Sequence, residues 1–248
     1  MKKCIALFML MAWAILIHSQ SFKATQKRYP RVRQAYAEKY NAIEMLLAEE
    51  SLNSSGLRIY LRAFKTERKL EVWAKNSSDT IYKLLKQYDI CNTSGNVGPK
   101  RRRGDLQIPE GFYHIDRFNP YSNFYLSLGL NYPNSSDRIL GYNNNLGGDI
   151  FIHGACVTIG CIPVTNRWIK ELYVLCVEAK NAGQHNIPVT IFPAKLEEKK
   201  YQMLTNQFKD DDILTLWSAL KKAYGIFNRK QQLPTITFLS NGQHLVSE

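Results

Sequence analysis

Hydrophobic spacing changes period at Leu57, and that change limits the fold more than any other feature of the chain. Upstream, Val32, Tyr36, Tyr40, Ile43 and Leu47 recur at intervals of four, four, three and four, which lines one face of a helix. Asn53-Ser54-Ser55-Gly56 ends that pattern. Downstream, residues 57–65 (LRIYLRAFK) and 69–75 (KLEVWAK) alternate and are rich in strand formers. Only Thr66-Glu67-Arg68 separates them, so they read as a β-hairpin.

The rest of the chain extends this picture. Residues 22–30 (FKATQKRYP) are polar and basic and read as a linker. Residues 80–88 fit a short strand or helix, and 111–115 and 123–128 fit short strands. Residues 92–111 are dense in turn formers and hold a basic knot, Lys100 to Arg103, which reads as a solvated loop. Residues 131–148 form a long Asn/Gly/Ser/Pro stretch, flexible or ligand-facing. Residues 149–153 read as a strand. Thr165 then caps a helix with a stripe of Trp168, Leu172, Cys176 and Ala179, closed by Gly183. On that stripe Cys176 is a small core hydrophobe. Ile187–Phe192 is another strand. The tail predicts two helices, around Leu204 and Trp217, and an Asn241-Gly242 turn between strand-like pieces. The expected fold is mainly β, an antiparallel sandwich or barrel-like core with packed α-helices and helical segments at both ends.

The 248 residues suit one sizeable domain with extensions, and 45% hydrophobic content is enough to build its core. The net charge of +12 draws such a protein to polyanions. Which polyanion depends on the address. Lys2 and Lys3 precede an unbroken apolar run from Ile5 to Ile17, followed by Ser19-Gln20-Ser21. This is the layout of a secretory signal peptide over residues 1–21; the run is short for a membrane span, and an uncleaved anchor is the other reading. Cys4 has no lipobox around it. Removing the segment would leave +10. An exported, basic protein points to the periplasm or cell envelope and an anionic wall or membrane surface, not to nucleic acid. Membrane contact is then transient, through the signal peptide alone.

The chemistry-bearing stretch is 149–163, DIFIHGACVTIGCIP. A thiol attacks carbonyls as thiolate, so it needs a base, and imidazole is the usual one. Eight extended residues would span roughly 26 Å, so His153 meets Cys161 only if the chain doubles back. Gly154 and Gly160 permit such a reversal. The N–H groups of Gly160 and Cys161 could hold a developing oxyanion. Other readings stand beside this one. His153, Cys156 and Cys161 have an irregular zinc-ligand spacing with no evident fourth ligand. A Cys156–Cys161 disulfide would silence the thiol, and the cysteines left after export, Cys91, Cys156, Cys161 and Cys176, are even in number. An activated Cys161 would react with iodoacetamide at a lower pH than an ordinary thiol of pKa ~8.5.

His153-Gly154 followed by Thr158-Ile159-Gly160-Cys161 resembles the active-site signature of the YkuD-type L,D-transpeptidases, His-Gly then Ser/Thr-x-Gly-Cys. The close spacing and the additional Cys156 resemble the murein YafK-like branch. So do Gly98-Pro99-Lys100, Gly104-Asp105, Pro109-Glu110-Gly111-Phe112-Tyr113, Asn119-Pro120 and Tyr132-Pro133-Asn134. The resemblance implies a catalytic domain over 57–193, preceded by a linker and helix (22–56) and followed by a helical extension (194–248). It implies Cys161 as nucleophile, His153 as base, and Gly160, Gly154 and Thr158 as oxyanion and backbone support. The implied reaction is acyl transfer on peptidoglycan stem peptides, with possible action on a wall-linked protein and with no cofactor or metal. The thiol would attack the carbonyl of the third-position diamino acid, expel the terminal D-residue and form a thioester, resolved by an amine or by water. Hydrolysis by the same residues and a non-catalytic wall-binding module are the alternatives. Two positions depart from the family pattern: Ile159 where many members have His, and Pro163 where many have Arg.

Overall fold

The computed structural model describes residues 21–142 and 145–248. The signal-peptide expectation falls on residues 1–20 almost entirely, outside the described residues. No helix among the described residues is long and apolar enough to cross a membrane.

Two helices open the described chain, α1 (Phe22–Gln26) and α2 (Pro30–Glu49). The expected linker is therefore helical: Ser21 caps α1 by accepting from the Ala24 N–H, and Pro30 sits in the first turn of α2, where no N–H is needed. A short 3-10 turn, Ser54–Gly56, leads into β1 (Leu57–Phe64), β2 (Lys69–Asn76) and β3 (Lys83–Asp89). β1 and β2 form the expected hairpin, and β3 settles the strand-or-helix ambiguity at 80–88. β4 (Gly111–Asn119) and β5 (Ser127–Leu130) follow, the second starting later than its alternation suggested. The long 131–148 stretch contains a helix, α3 (Ser135–Leu140), held by a reciprocal capping box between Asn134 and Asp137. Then come β6 (Phe151–His153), β7 (Ile162–Pro163), α4 (Asn166–Asn181) and β8 (Ile187–Phe192). Thr165 caps α4 as expected. The tail supplies α5 (Glu198–Thr205), α6 (Asp211–Lys230) and a hairpin of β9 (Thr235–Phe238) and β10 (His244–Ser247).

The first eight strands form one sheet in the order β3-β2-β1-β8-β4-β5-β6-β7. It is mixed rather than purely antiparallel, because β1 pairs β8 and β6 pairs β7 in parallel. β1 and β8 are far apart in the chain, whereas β6 and β7 are joined only by the 154–161 loop; the short hairpin turns give antiparallel neighbours.

The register sorts the sheet into two faces. Ile59, Leu61, Val189, Ile115, Leu128, Ile152 and Ile162 point to one side and pack in a single core with α2 and α4. Cys176 is fully buried there, as its stripe predicted. Phe64, Phe112 and Phe192 point to the other side and pack under α6 around Trp217. The same face runs on across β5, β6 and β7, where it carries His153.

Candidate active site

The parallel pair β6–β7 places the two halves of the motif side by side. Ile152 pairs with Ile162 and His153 with Pro163, so one step earlier Cys161 lies opposite Phe151. Cys161 Sγ confirms that alignment: it takes a hydrogen bond from the Phe151 N–H and lies 3.5 Å from the Asp149 carbonyl oxygen. Residues paired across a ladder share a face, and so do residues two apart. His153 and Cys161 therefore emerge on the same face of adjacent strands, about 8 Å apart at Cα.

His153 is buried, and its ring stacks obliquely on Phe124, 4.6 Å between centroids. Nδ1 faces the carbonyl oxygen of Gly154 at 2.5 Å. A neutral imidazole donates there from Nδ1–H, which leaves the lone pair on Nε2. Burial pushes the His153 pKa below its usual 6.5, against the opposing pull of that carbonyl. Burial also pushes the Cys161 thiol up; the Phe151 N–H and Lys100 oppose the rise and Asp149 adds to it. Both directions favour a neutral imidazole and a neutral thiol in the resting protein.

The chain reversal between His153 and Cys161 is built differently from the glycine-only expectation. Ala155, not Gly154, takes the left-handed conformation, at φ 62°. Gly154 is required for space: a Cβ there would lie 2.5 Å from Asn166 Oδ1 and 2.8 Å from the Phe124 carbonyl oxygen. Asn166 Oδ1 in turn accepts from the Ala155 N–H at 2.9 Å. Gly160 does need its glycine, at φ 137°, with the Gln107 carbonyl oxygen 3.1 Å from a Cβ placed there. Thr158 ties the turn: its hydroxyl donates to the Cys161 carbonyl at 2.8 Å and accepts from the Gly160 N–H at 3.1 Å. The Gly160 N–H must therefore be shared with Thr158 if it is to hold an oxyanion.

Cys156 is bonded to Cys91, at a Cα separation of 5.5 Å, and not to Cys161. Cys161 remains a free, half-buried thiol. The bridge pins the 154–161 loop to the chain beyond β3, reinforced by Cys91 N–H to the Pro163 carbonyl (3.0 Å) and Asn92 Nδ2 to the Cys156 carbonyl (3.0 Å). It also removes Cys156 from any zinc set, and no group of three metal-ligating side chains occurs among the described residues.

The basic knot at 100–103 is not simply solvated. Lys100 and Arg101 are buried. Lys100 Nζ donates to Asp105 Oδ1 at 2.6 Å, and Asp105 also accepts from the N–H groups of Arg101, Arg102 and Gln107. Glu110 anchors the same loop from inside: it accepts from the Gly98 N–H at 2.7 Å and from Trp217 Nε1 at 2.7 Å, and pairs with Lys65 at 2.9 Å. Sequence reasoning missed Cys91, Lys100, Phe124 and Asn166 as neighbours of the site. Cys91, Lys100 and Phe124 reach it from other segments of the chain, whereas Asn166 follows β7 directly and, next to the capping Thr165, carried a local hint. The departing residues behave differently: Ile159 is 78% exposed, whereas Pro163 is buried beside His153.

The family model for the L,D-transpeptidase catalytic domain, YkuD, matches residues 58–191. "Putative L,D-transpeptidase YafK" of Escherichia coli strain K12 is 36% identical over 200 residues, 78% of this chain and 75% of that protein; its counterpart in Escherichia coli O157:H7 gives the same figures. Among solved structures, the helical cell shape determining protein Pgp2 from Campylobacter jejuni matches with a TM-score of 0.43 and 20% identity over 74% of this chain and 73% of that one. Bd1075 of Bdellovibrio bacteriovorus matches with a TM-score of 0.40 and 21% identity over 73% and 76%.

Proposed function

Because this chain belongs to the YkuD-type L,D-transpeptidase catalytic-domain family, in its YafK-like branch, we propose that it is an exported cysteine acyltransferase acting on peptidoglycan stem peptides in the periplasm or cell envelope. Cys161 is its nucleophile and His153 its base. One observation carries the reading: a free, half-buried thiol and an imidazole with an open Nε2 share one face of adjacent strands, while the competing Cys156 is bonded elsewhere.

The neutral resting pair sets the order of proton movement. Nε2 takes the thiol proton as Sγ attacks the carbonyl carbon of the third-position diamino acid. The Cys161 N–H, with the Gly160 N–H shared from Thr158, receives the oxyanion. Collapse of the tetrahedral intermediate breaks the bond to the terminal D-residue, whose amine takes the proton back from the imidazolium. A thioester on Cys161 remains. An amine acceptor then gives a cross-link, or water gives a carboxylate, with His153 again removing the proton. Hydrolysis is the second reading, favoured by the exposed apolar Ile159, which offers an acceptor amine no hydrogen bond.

The test is Cys161→Ala. Purified parent should process muropeptides and form an acyl adduct seen by intact-mass spectrometry, and the variant should do neither. Equal processing by both would end this proposal, and unchanged muropeptides with retained wall binding would leave a non-catalytic binding module. Product masses separate cross-links and amine adducts from plain cleaved peptides.

A further inference from the structure

A cavity of about 650 Å³ opens on the same sheet face as Cys161 but several strands away. Tyr60 of β1 and Phe112 of β4 form its floor, Arg138 of α3 and Asn186 stand at its sides, and Leu233 and Phe238 form its roof. Leu233 and Phe238 lie beyond the 58–191 region that the family model matches, so the tail of this chain converts an open sheet face into a pocket of ligand size.

One row of paired residues on that face runs from the cavity, which Arg117 lines, to Cys161. Past the irregularity in β4 at Asp116, Arg117 pairs with Gly129, Gly129 pairs with Phe151, and Phe151 adjoins Cys161. Gly129 is buried beneath Arg117: a Cβ there would lie 2.7 Å from Arg117 Nε, and the guanidinium pairs with Asp149 at 3.2 Å. Arg117 lies across it with its guanidinium 5.1 Å from the centre of the Phe151 ring. From β4 to β7 is three strand spacings, about 14 Å.

That distance selects the occupant. With the third stem residue's carbonyl at Cys161, three extended residues reach about 10 Å. Beyond them lies the glycan to which the stem is attached. A hexose presents an apolar C–H face and a rim of hydroxyls, matching aromatic rings beside an amide and a guanidinium. We propose that this cavity is a saccharide subsite that binds the N-acetylated disaccharide of the wall, with the stem peptide passing over the half-exposed Arg117 to Cys161. The proposal rests on the peptidoglycan reading above and gives it a second point of attachment.

The experiment has two arms. In the first, the GlcNAc–MurNAc disaccharide without peptide is titrated by calorimetry into Cys161→Ala, and into the same protein carrying Phe238→Ala or Asn186→Ala. Saturable binding that weakens tenfold or more in both added variants is expected, with unchanged thermal melts showing that the fold persists. Absent binding, or equal binding in all three, overturns the subsite. In the second arm, parent enzyme is given disaccharide-tetrapeptide and free tetrapeptide. A KM at least tenfold lower for the glycosylated substrate is expected, an advantage that Phe238→Ala brings toward one. Equal KM values would overturn the subsite while leaving acyl transfer intact. Disaccharide binding that depends on Phe238, without any turnover, would instead overturn the acyl-transfer reading and keep the subsite.

Discussion

At the residue scale, two opposite displacements set the chemistry. Burial pushes His153 below 6.5 and Cys161 above 9.0, which favours a free imidazole and a protonated thiol at neutral pH. A base whose pKa is lowered stays unprotonated to a lower pH, so the acid limb of kcat/KM should fall below pH 6.5. A thiol whose pKa is raised yields thiolate only in alkaline solution, so alkylation of the resting enzyme by iodoacetamide should rise with a midpoint above 9. Stopped alkylation time courses across pH check this. A midpoint near neutrality would mean a preformed thiolate–imidazolium pair and a different order of proton transfer. The motif itself was plain in the sequence, since His153-Gly154 and Gly160-Cys161 are local patterns. The direction of the thiol's pKa was not, because it depends on how much water the surrounding chain excludes.

At the element scale, legibility followed length. The helical stripes of α2 and α4 repeat over several turns, and Thr165 supplies a cap, so both were readable. α1 and α3 have five and six residues, too few for a period to emerge. For α3 the usable signal was Asn134 followed three residues later by Asp137. The 154–161 loop has no regular structure of its own and is held by the Cys91–Cys156 bridge, 65 residues apart in sequence. A Cys91→Ser, Cys156→Ser double variant should lose about 2–4 kcal/mol of stability in chemical denaturation. Its kcat should fall by one to two orders of magnitude, since small displacements of reacting groups are costly. A kcat equal to the parent's would show that the bridge stabilises the fold without placing the nucleophile.

At the scale of the whole molecule, the sheet has two apolar faces and needs cover on both. α2 and α4 cover one, and the tail covers the other with α6 around the fully buried Trp217. Through its indole N–H, Trp217 also completes the coordination of Glu110, which fixes the loop carrying Lys100. Trp217→Ala should cost about 3–5 kcal/mol. Trp217→Phe keeps most of the packing but leaves a buried carboxylate short of one donor, and should cost about 1–3 kcal/mol. Urea denaturation measures both, and a Trp217→Phe variant as stable as the parent would show that the Glu110 bond adds nothing. The amino-acid order alone determined the β1–β2 hairpin, which long helices form, which cysteine is core and which tetrapeptide carries the thiol, because these depend on spacing among near neighbours. Tertiary structure decided the parallel pairing of β1 with β8, the partner of Cys156, the burial of Lys100 and Arg101, and the cavity beneath the tail. Those depend on contacts between segments tens of residues apart, where the cost of closing the loop is repaid only once the whole sheet is assembled.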